Sequence, residues 1–358
     1  MSKILSVQAG RAFAATSVVL CHTLHEAEKW PNVSPKLVAF SHYMPFGSGV
    51  EIFFVISGFV MYHISRGRRE TPGYWKSFLE NRALRIVPIY WFYTLLMVGI
   101  LVAMPSAFDT ARFDPWHILR SLAFLPGPTP ESGYPILSLG WTLNLEIFFY
   151  LLFAVSLALF GRRAVPILSA VLLGLVVVHP LLARIAYPLG FWSQPIIANF
   201  AAGMALGALR ARGIAWSRPR GLLCIALSLV LFTLLPAFGI NRLGDYDKIL
   251  LGVAATLFVA PLVLSPDLRD EGPLARGLVL VGDASYTLYL CHPFVLTAVF
   301  LVMSPLPAVL LGQGWSYVAL STCLAIIAAI LGYFLLERPV GTLLRGGIFR
   351  SRTAAGKI

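Results

Sequence analysis

The chain has 358 residues, of which 58% are hydrophobic and 12% are charged, and its mean hydropathy is +0.79. A soluble domain carries roughly 25% charged residues, so this composition excludes a soluble globular protein and indicates lipid as the surroundings of most of the chain. The net charge of +12 does not indicate nucleic acid, because the Lys and Arg residues lie in short loops between hydrophobic stretches.

Apolar stretches long enough to cross a bilayer recur along the whole chain, since about 20 helical residues span a hydrocarbon core of roughly 30 Å. They predict an all-α integral membrane protein with about ten transmembrane helices. The first stretch carries Arg11 and His22 and no small-residue cleavage site, so we expect a retained helix and not a signal peptide. The predicted spans are 6–24, 47–64, 86–104, 136–160, 164–180, 195–210, 221–238, 249–265, 278–302 and 316–335.

The distribution of basic residues favours one orientation of these spans. With both termini in the cytoplasm, 21 basic residues lie on the cytoplasmic side and 7 on the opposite side, which together account for all 28. Basic residues concentrate in cytoplasmic loops, so we predict cytoplasmic termini and a multi-pass protein of the cell inner membrane. Residues 1–340 form the predicted transmembrane domain, 341–358 a basic cytoplasmic tail, and 25–46 and 105–135 the longest outer loops.

The cysteines and histidines give no indication of a metal. Cys21, Cys224, Cys291 and Cys323 all fall in apolar stretches without Cys-x-x-Cys spacing, and the histidines are not clustered. We therefore expect neither a metal site nor a disulfide framework. The pairs Cys21-His22 and Cys291-His292 are no ready catalytic dyads, because adjacent residues of a helix do not face each other.

Ionisable residues inside the predicted spans are costly in lipid and therefore mark candidate functional positions. Arg11 and His22 are eleven residues apart, which places them on nearly the same helix face, about 16 Å apart along the axis. Glu51, near the outer end of the second span, needs a partner, and we expect His22, since a carboxylate orients an imidazole base. Three alternatives stay open: Arg11 as a snorkelling anchor, His22 as a packing residue and Glu51 as a helix cap.

Arg82 and Arg85 precede the third predicted span on its cytoplasmic side. Residues three apart share a helix face, so the two guanidinium groups can hold one phosphate together. The alternative is that both are ordinary positive-inside anchors. The spacing favours a phosphate-bearing donor.

Two polar stripes at helical spacing follow, composed of Thr142, Glu146 and Tyr150 in the fourth span and of Ser285, Tyr289 and His292 in the ninth. A structural role stays open for Glu146. His292 is compatible with a second base, a ligand contact or a helix-packing residue.

Six motifs follow one another along essentially the whole chain. In chain order they are Arg11-x10-His22, Gly-Val-Glu-Ile-Phe-Phe-Val-Ile-Ser-Gly-Phe at 49–59, Arg82-x-x-Arg85, Trp141-Thr-Leu-Asn-Leu-Glu146, Ser285-Tyr-Thr-Leu-Tyr-Leu-Cys-His292-Pro293 and Glu337-Arg338-Pro339. Together and in this order they resemble the acyltransferase-3 family. The run at 141–146 is most similar to the branch that decorates exopolysaccharides.

The resemblance implies O-acylation, usually O-acetylation, of an extracytoplasmic carbohydrate such as an exopolysaccharide or its lipid-linked precursor, with cytoplasmic acetyl-CoA or another acyl-CoA as donor. It implies that His22 is the catalytic base, that Arg11 is its companion and that Arg82 and Arg85 engage the donor. Glu51 stands where Asp is more usual in the family.

These inferences together predict the site residues and the partners. The partners are the carbohydrate acceptor, acyl-CoA, the lipid bilayer and the polysaccharide-synthesis machinery. The predicted catalytic residues are His22, Glu51 and Glu146, the donor-binding residues Arg11, Arg82 and Arg85, and the substrate-binding residues Trp141, Tyr289 and His292.

Two other functional classes use the same residues. In a proton-coupled transporter of a polysaccharide precursor, the His and Glu side chains would relay protons. In a structural subunit of a polysaccharide-export assembly, the polar stripes would be interhelical hydrogen bonds. For the enzyme, direct transfer and an acyl-His22 intermediate both stay open.

Overall fold

The structure is a computed structural model that describes residues 3–30, 33–44, 46–103, 114–129, 133–237, 246–268, 272–305 and 312–344. Regular structure in these ranges is helical, with no strand among them. The predicted tail lies outside the described residues from 345 onward, as do residues 105–113 and 130–132 of the predicted outer loop.

Each of the ten predicted spans overlaps a helix of the structure. The α-helices within the described ranges are Leu5–Ala27 (α1), Pro35–Tyr43 (α2), Gly49–Ser65 (α3), Tyr74–Ala103 (α4), Pro115–Leu122 (α5), Trp141–Phe160 (α6), Ala164–Ile185 (α7), Tyr187–Trp192 (α8), Ala198–Ala211 (α9), Arg218–Ala237 (α10), Asp247–Leu264 (α11), Pro273–Asp283 (α12), Ser285–Met303 (α13) and Trp315–Gly332 (α14).

Seven stretches of the described chain are long and apolar enough to cross a membrane, judged by length and composition alone. One of them, Ser138–Ile185, contains both α6 and α7, which are separated at Gly161, where φ is +49°. Helices α1 and α9 occupy predicted spans but are not among the seven; α9 has only 14 residues. The helical membrane class therefore agrees with the sequence, while the number of ten spans and the cytoplasmic termini stay predictions. The seven stretches are Pro35–Ser65, Tyr74–Ala103, Ser138–Ile185, Arg218–Leu235, Asp247–Leu264, Ser285–Met303 and Trp315–Leu344.

Two helix boundaries differ from the predicted spans. Helix α4 begins at Tyr74, well before the predicted start at 86, so Arg82 and Arg85 lie inside the helix and not ahead of it. The predicted span 278–302 is divided between α12 and α13, which meet at Ala284. The run Gly282-Asp283-Ala284-Ser285 interrupts the apolar residues here, but the apolar residues on both sides of it led to the prediction of one continuous span.

The chain divides into two compact units. Unit 1 comprises Met1–Arg66, Ser169–Val177 and Gln194–Ile330, and unit 2 comprises Gly67–Leu168, Val178–Ser193 and Leu331–Ile358. The predicted site residues Arg11, His22, Glu51, Tyr289 and His292 thus lie in unit 1, whereas Arg82, Arg85, Trp141 and Glu146 lie in unit 2.

Helices α3 and α9 of unit 1 pack through glycines that let their backbones approach closely. A Cβ at Gly58 would lie 2.1 Å from the carbonyl oxygen of Phe200, and one at Gly207 would lie 2.7 Å from the ring of Tyr62. Because the contacts advance along both helices in the same direction, the two helices run parallel. Small residues at such crossings are the usual means of close helix packing in lipid.

Replacing Gly203 by Ala tests this packing. The added Cβ would lie 1.9 Å from the carbonyl oxygen of Val55, so α3 and α9 must separate. We expect a loss of about 1–3 kcal/mol in unfolding free energy, seen as a lower thermal unfolding midpoint in detergent. Gly99→Ala is the matched control, because a Cβ there has no atom within 4 Å. Equal midpoints for the two variants would contradict the close approach.

The amino end of α1 is capped by a residue from a distant part of the chain. The Asp267 carboxylate accepts hydrogen bonds from the backbone N–H groups of Leu5 at 3.0 Å and Ser6 at 2.8 Å, and from the Ser6 hydroxyl at 2.6 Å. Burial raises the pKa of this carboxyl, but these bonds and one from the Leu268 N–H outweigh burial, so the pKa of Asp267 is lowered. The carboxylate form therefore stabilises the fold.

This lowered pKa predicts a pH-dependent effect of Asp267→Ala. The stabilisation is complete above the unfolded pKa of about 4 and is lost as the pH falls through the lower folded pKa. At pH 7 we expect the variant to lose about 1 kcal/mol, as for other helix caps. Thermal unfolding in detergent should show a difference from the wild type that shrinks below pH 4. A difference that is the same at pH 7 and pH 3 would rule out the charged cap.

Candidate functional site

The polar face of α1 is directed toward α13. The Arg11 guanidinium donates to the Ser285 hydroxyl through Nε at 3.1 Å and Nη2 at 2.9 Å. About three turns further along α1, the His22 ring lies with its centroid 5.2 Å from that of His292, at an interplanar angle of 38°. Both residues therefore face the same neighbouring helix, and the predicted alignment of Arg11 with His22 is confirmed.

The tautomer of His292 follows from its surroundings. Its side chain is fully buried, with 0% exposed. Nδ1 lies 3.0 Å from the Leu288 carbonyl oxygen, which can only accept, so Nδ1 carries the proton in the neutral ring. Nε2 then bears the lone pair, and it has no hydrogen-bond partner among the described residues. The His22–His292 pair thus offers an unused acceptor in dry surroundings.

Tyr289 extends this polar face toward α3. Its ring centroid lies 6.3 Å from that of His292 and 6.3 Å from that of Phe53, with steep interplanar angles of 63° and 74°. The predicted stripe of Ser285, Tyr289 and His292 on α13 therefore contacts two helices. Ser285 and His292 contact α1, and Tyr289 contacts Phe53 of α3.

The sequence predicted a pair between Glu51 and His22, but the structure does not show one. Glu51 is 6% exposed, and the positive charge that acts on its carboxylate is that of Lys248 of α11, through an electrostatic interaction. Among the described residues, no hydrogen bond or ion pair joins Glu51 to His22. Helix α3 presents Glu51 to α11 and Phe53 to α13, because residues two apart on a helix point in different directions.

Three polar residues of unit 1, Lys248, Gln194 and Asn199, were not predicted as site residues. Lys248 Nζ donates to Gln194 Oε1 at 3.0 Å. One turn further along α11, Gly252 leaves room for Asn199, whose Oδ1 lies 2.1 Å from the position that a Cβ at Gly252 would take. Asn199 is 3% exposed, and its Nδ2 has no partner within the described part of the chain. A polar residue inside the predicted span 195–210 was a signal in the sequence that could have identified Asn199.

In unit 2, a hydrogen bond joins two of the three residues of the predicted stripe on α6. The Tyr150 hydroxyl donates to Glu146 Oε1 four residues earlier. Arg82 of α4 is hydrogen-bonded to Tyr150 and interacts with the charges of both Glu146 and Arg85. Its Nε is buried without a partner among the described residues. The cluster therefore contains two cations and one carboxylate, which leaves it with an excess of positive charge.

The beginning of α6 carries a second unsatisfied group. Trp141 is the first residue of α6 and is half-buried. Asn144 is 1% exposed, and neither its Oδ1 nor its Nδ2 has a partner in the ranges that the structure describes. Buried polar atoms without partners are rare, so Asn144 belongs with Trp141 among the candidate contacts for a bound molecule.

The structure contains no arrangement suited to a metal ion in the part of the chain it describes. No group of three or more His, Cys, Asp and Glu residues there could hold one. The four cysteines Cys21, Cys224, Cys291 and Cys323 are free thiols.

Comparison with known proteins gives one family and two relatives. A family model described as an acyltransferase domain matches residues 4–335. The exopolysaccharide production protein ExoZ of Rhizobium meliloti (strain 1021) is 34% identical over 319 residues, which cover 87% of this chain and 94% of ExoZ. The acyltransferase MdmB of Streptomyces mycarofaciens is 29% identical over 152 residues, which cover 40% of this chain and 36% of MdmB. No solved structure matches the chain.

Proposed function

This chain belongs to the acyltransferase family, and on that premise we propose that it moves an acyl group, in the first place acetyl, from cytoplasmic acyl-CoA to a carbohydrate outside the cytoplasm. The name of ExoZ supports an exopolysaccharide, or its lipid-linked precursor, as the acceptor. The enzyme is an O-acyltransferase of the membrane; we place it in the cell inner membrane, next to the machinery that makes the polysaccharide. Membership of the family favours the enzyme over a proton-coupled transporter and over a structural subunit.

The observation that carries this proposal is the pair formed by the half-buried His22 and the fully buried His292. His22 takes the proton of the acceptor hydroxyl, the oxygen attacks the thioester carbonyl, and the C–S bond breaks. The coenzyme A thiolate leaves and receives that proton from His22. Because Nδ1 of His292 is held by the Leu288 carbonyl, its Nε2 is available to accept a hydrogen bond from the protonated His22 or from the acceptor hydroxyl.

Donor binding is the role that we propose for Arg82 and Arg85. The excess positive charge of their cluster is an electrostatic reason for an anion to bind there, and guanidinium groups bind phosphates through paired hydrogen bonds. Arg11 stays a candidate contact of the donor, and its bonds to Ser285 fix the guanidinium in place. Catalytic roles for Glu51 and Glu146 and substrate contacts for Trp141 and Tyr289 stay predictions.

Replacing His22 by Ala tests the base. Without it we expect acyl transfer to fall about 10²–10⁴-fold, the usual contribution of a general base. The assay uses purified protein in detergent, radiolabelled acetyl-CoA and an exopolysaccharide or lipid-linked oligosaccharide, with coenzyme A release and labelled product both measured. His25→Ala is the matched control, since His25 lies one turn further along α1 and its side chain is 69% exposed.

Either result of this comparison is informative. Transfer by the wild type and by His25→Ala that His22→Ala has lost establishes His22 in the chemistry. Equal rates for all three proteins would remove His22 from the mechanism, and an absence of donor consumption with every acceptor would overturn the enzyme. Labelled acyl-His22 trapped by rapid acid quenching would identify the covalent route, in which His22 first receives the acyl group.

Replacing Arg85 by Gln tests the donor site. Losing one charged hydrogen bond to a phosphate costs about 1.5–3 kcal/mol, so we expect the KM for acetyl-CoA to rise about 10-fold or more, and Arg85→Lys to restore part of the affinity. Arg162→Gln is the control, because Arg162 is 81% exposed and pairs with the exposed Glu70. A kcat that falls with no change in donor KM would argue against donor binding by Arg85.

A further inference from the structure

Three parallel helices of unit 1 begin side by side and bring polar residues together at their amino ends. Glu51 lies in the first turn of α3 and Lys248 is the second residue of α11. Gln194 precedes the turn Pro195–Ile197 that leads into α9, and Asn199 is the second residue of α9. We call Glu51, Gln194, Lys248 and Asn199 the Lys248 cluster.

One hydrogen bond, one electrostatic interaction and one close approach link the members of the Lys248 cluster. Lys248 interacts with the Glu51 carboxylate and donates to Gln194 Oε1 at 3.0 Å. Lys248 and Gly252 share one face of α11, since they are four residues apart. Asn199 lies against Gly252, at the position that a side chain there would occupy. These interactions bring the four residues together near the amino ends of α3, α9 and α11.

Two buried polar atoms near this cluster have no hydrogen-bond partner within the described residues. Asn199 is 97% buried, with 3% exposed, and its Nδ2 donor has no partner among the described residues. Asp247, beside Lys248, is 8% exposed, and its Oδ1 is also without a partner there. Unpaired buried donors and acceptors are costly unless a ligand or water completes them.

We propose that the Lys248 cluster binds hydroxyl groups of the carbohydrate acceptor, a step that rests on the proposed function. A sugar hydroxyl both donates and accepts, and the cluster offers a carboxylate that accepts, an ammonium that donates and two amides that do either. A phosphate would be repelled by the Glu51 and Asp247 carboxylates, and within the described residues no group of His, Cys, Asp and Glu here is large enough to hold a metal cation. A neutral polyhydroxyl compound is the class of ligand that fits both charges.

Asn199→Leu is the most informative variant, because it keeps the approximate shape and removes the unused amide. If Asn199 only packs, removing an unpaired buried group leaves acceptor binding unchanged. If it binds the sugar, the acceptor KM rises. Glu51→Gln tests in the same way whether the Glu51 carboxylate accepts a hydrogen bond from the sugar. Ser228→Ala is the matched control, since the buried Ser228 hydroxyl is already bonded to the Ala254 carbonyl at 2.7 Å.

The probe is an oligosaccharide prepared from the producing strain's own exopolysaccharide by alkaline removal of its acyl groups. Two measurements use the full-length protein in detergent: the rise in thermal unfolding midpoint that the oligosaccharide causes, and the KM values for oligosaccharide and acetyl-CoA. We expect Asn199→Leu and Glu51→Gln to weaken oligosaccharide binding and raise its KM at least 10-fold, with the effect on the acceptor and not on the donor.

The two measurements separate this inference from the proposed function. Stabilisation of the wild type by the oligosaccharide that both variants lose supports the Lys248 cluster, even if no acyl transfer is detected and the proposed function fails. Unchanged oligosaccharide binding and KM in both folded variants would show that the cluster only joins helices. A wild type that the oligosaccharide does not stabilise would overturn the inference as well.

Discussion

The absence of water from the bilayer core is the constraint on which this structure depends. Each buried polar side chain needs a partner within the protein. In lipid no water is present to complete its hydrogen bonds, so an unpaired group there costs more free energy than one at a surface in contact with water. Three side-chain hydrogen bonds provide such partners: Arg11–Ser285, Tyr150–Glu146 and Lys248–Gln194. Buried polar atoms without a partner among the described residues, such as His292 Nε2 and Asn199 Nδ2, are therefore the best indicators of where substrates bind.

The apolar packing serves to bring these polar groups to fixed positions. Glycines let α3 and α9 touch backbone to backbone, and Phe54 stacks on Phe200 with ring centroids 4.5 Å apart. A tight contact of this kind fixes the rotation of α3 about its own axis. That rotation decides that Glu51 turns toward Lys248 while Phe53 turns toward Tyr289.

Sequence reasoning succeeded where the answer lies within one helix. The spacing of Arg11 and His22 predicted their common face, and the i to i+4 spacing of Glu146 and Tyr150 predicted a shared face on which the two residues are hydrogen-bonded. It failed where the answer depends on which helices are neighbours. The positive charge that acts on Glu51 comes from α11, almost 200 positions further along the chain, and no local pattern identifies it. The division of the predicted span 278–302 at Ala284 was missed for a different reason, because the polar run Gly282-Asp283-Ala284-Ser285 is short and lies between two apolar stretches.

The cap on α1 has a consequence for how the protein is made. The first helix receives its cap from Asp267, an ion pair from Lys3 to Asp283 and its polar neighbours from Ser285 and His292. A ribosome delivers all of these only after more than two thirds of the chain has been synthesised. Arg11 and His22 therefore enter the membrane long before their partners, and the mature arrangement of α1 is completed by the last third of the chain.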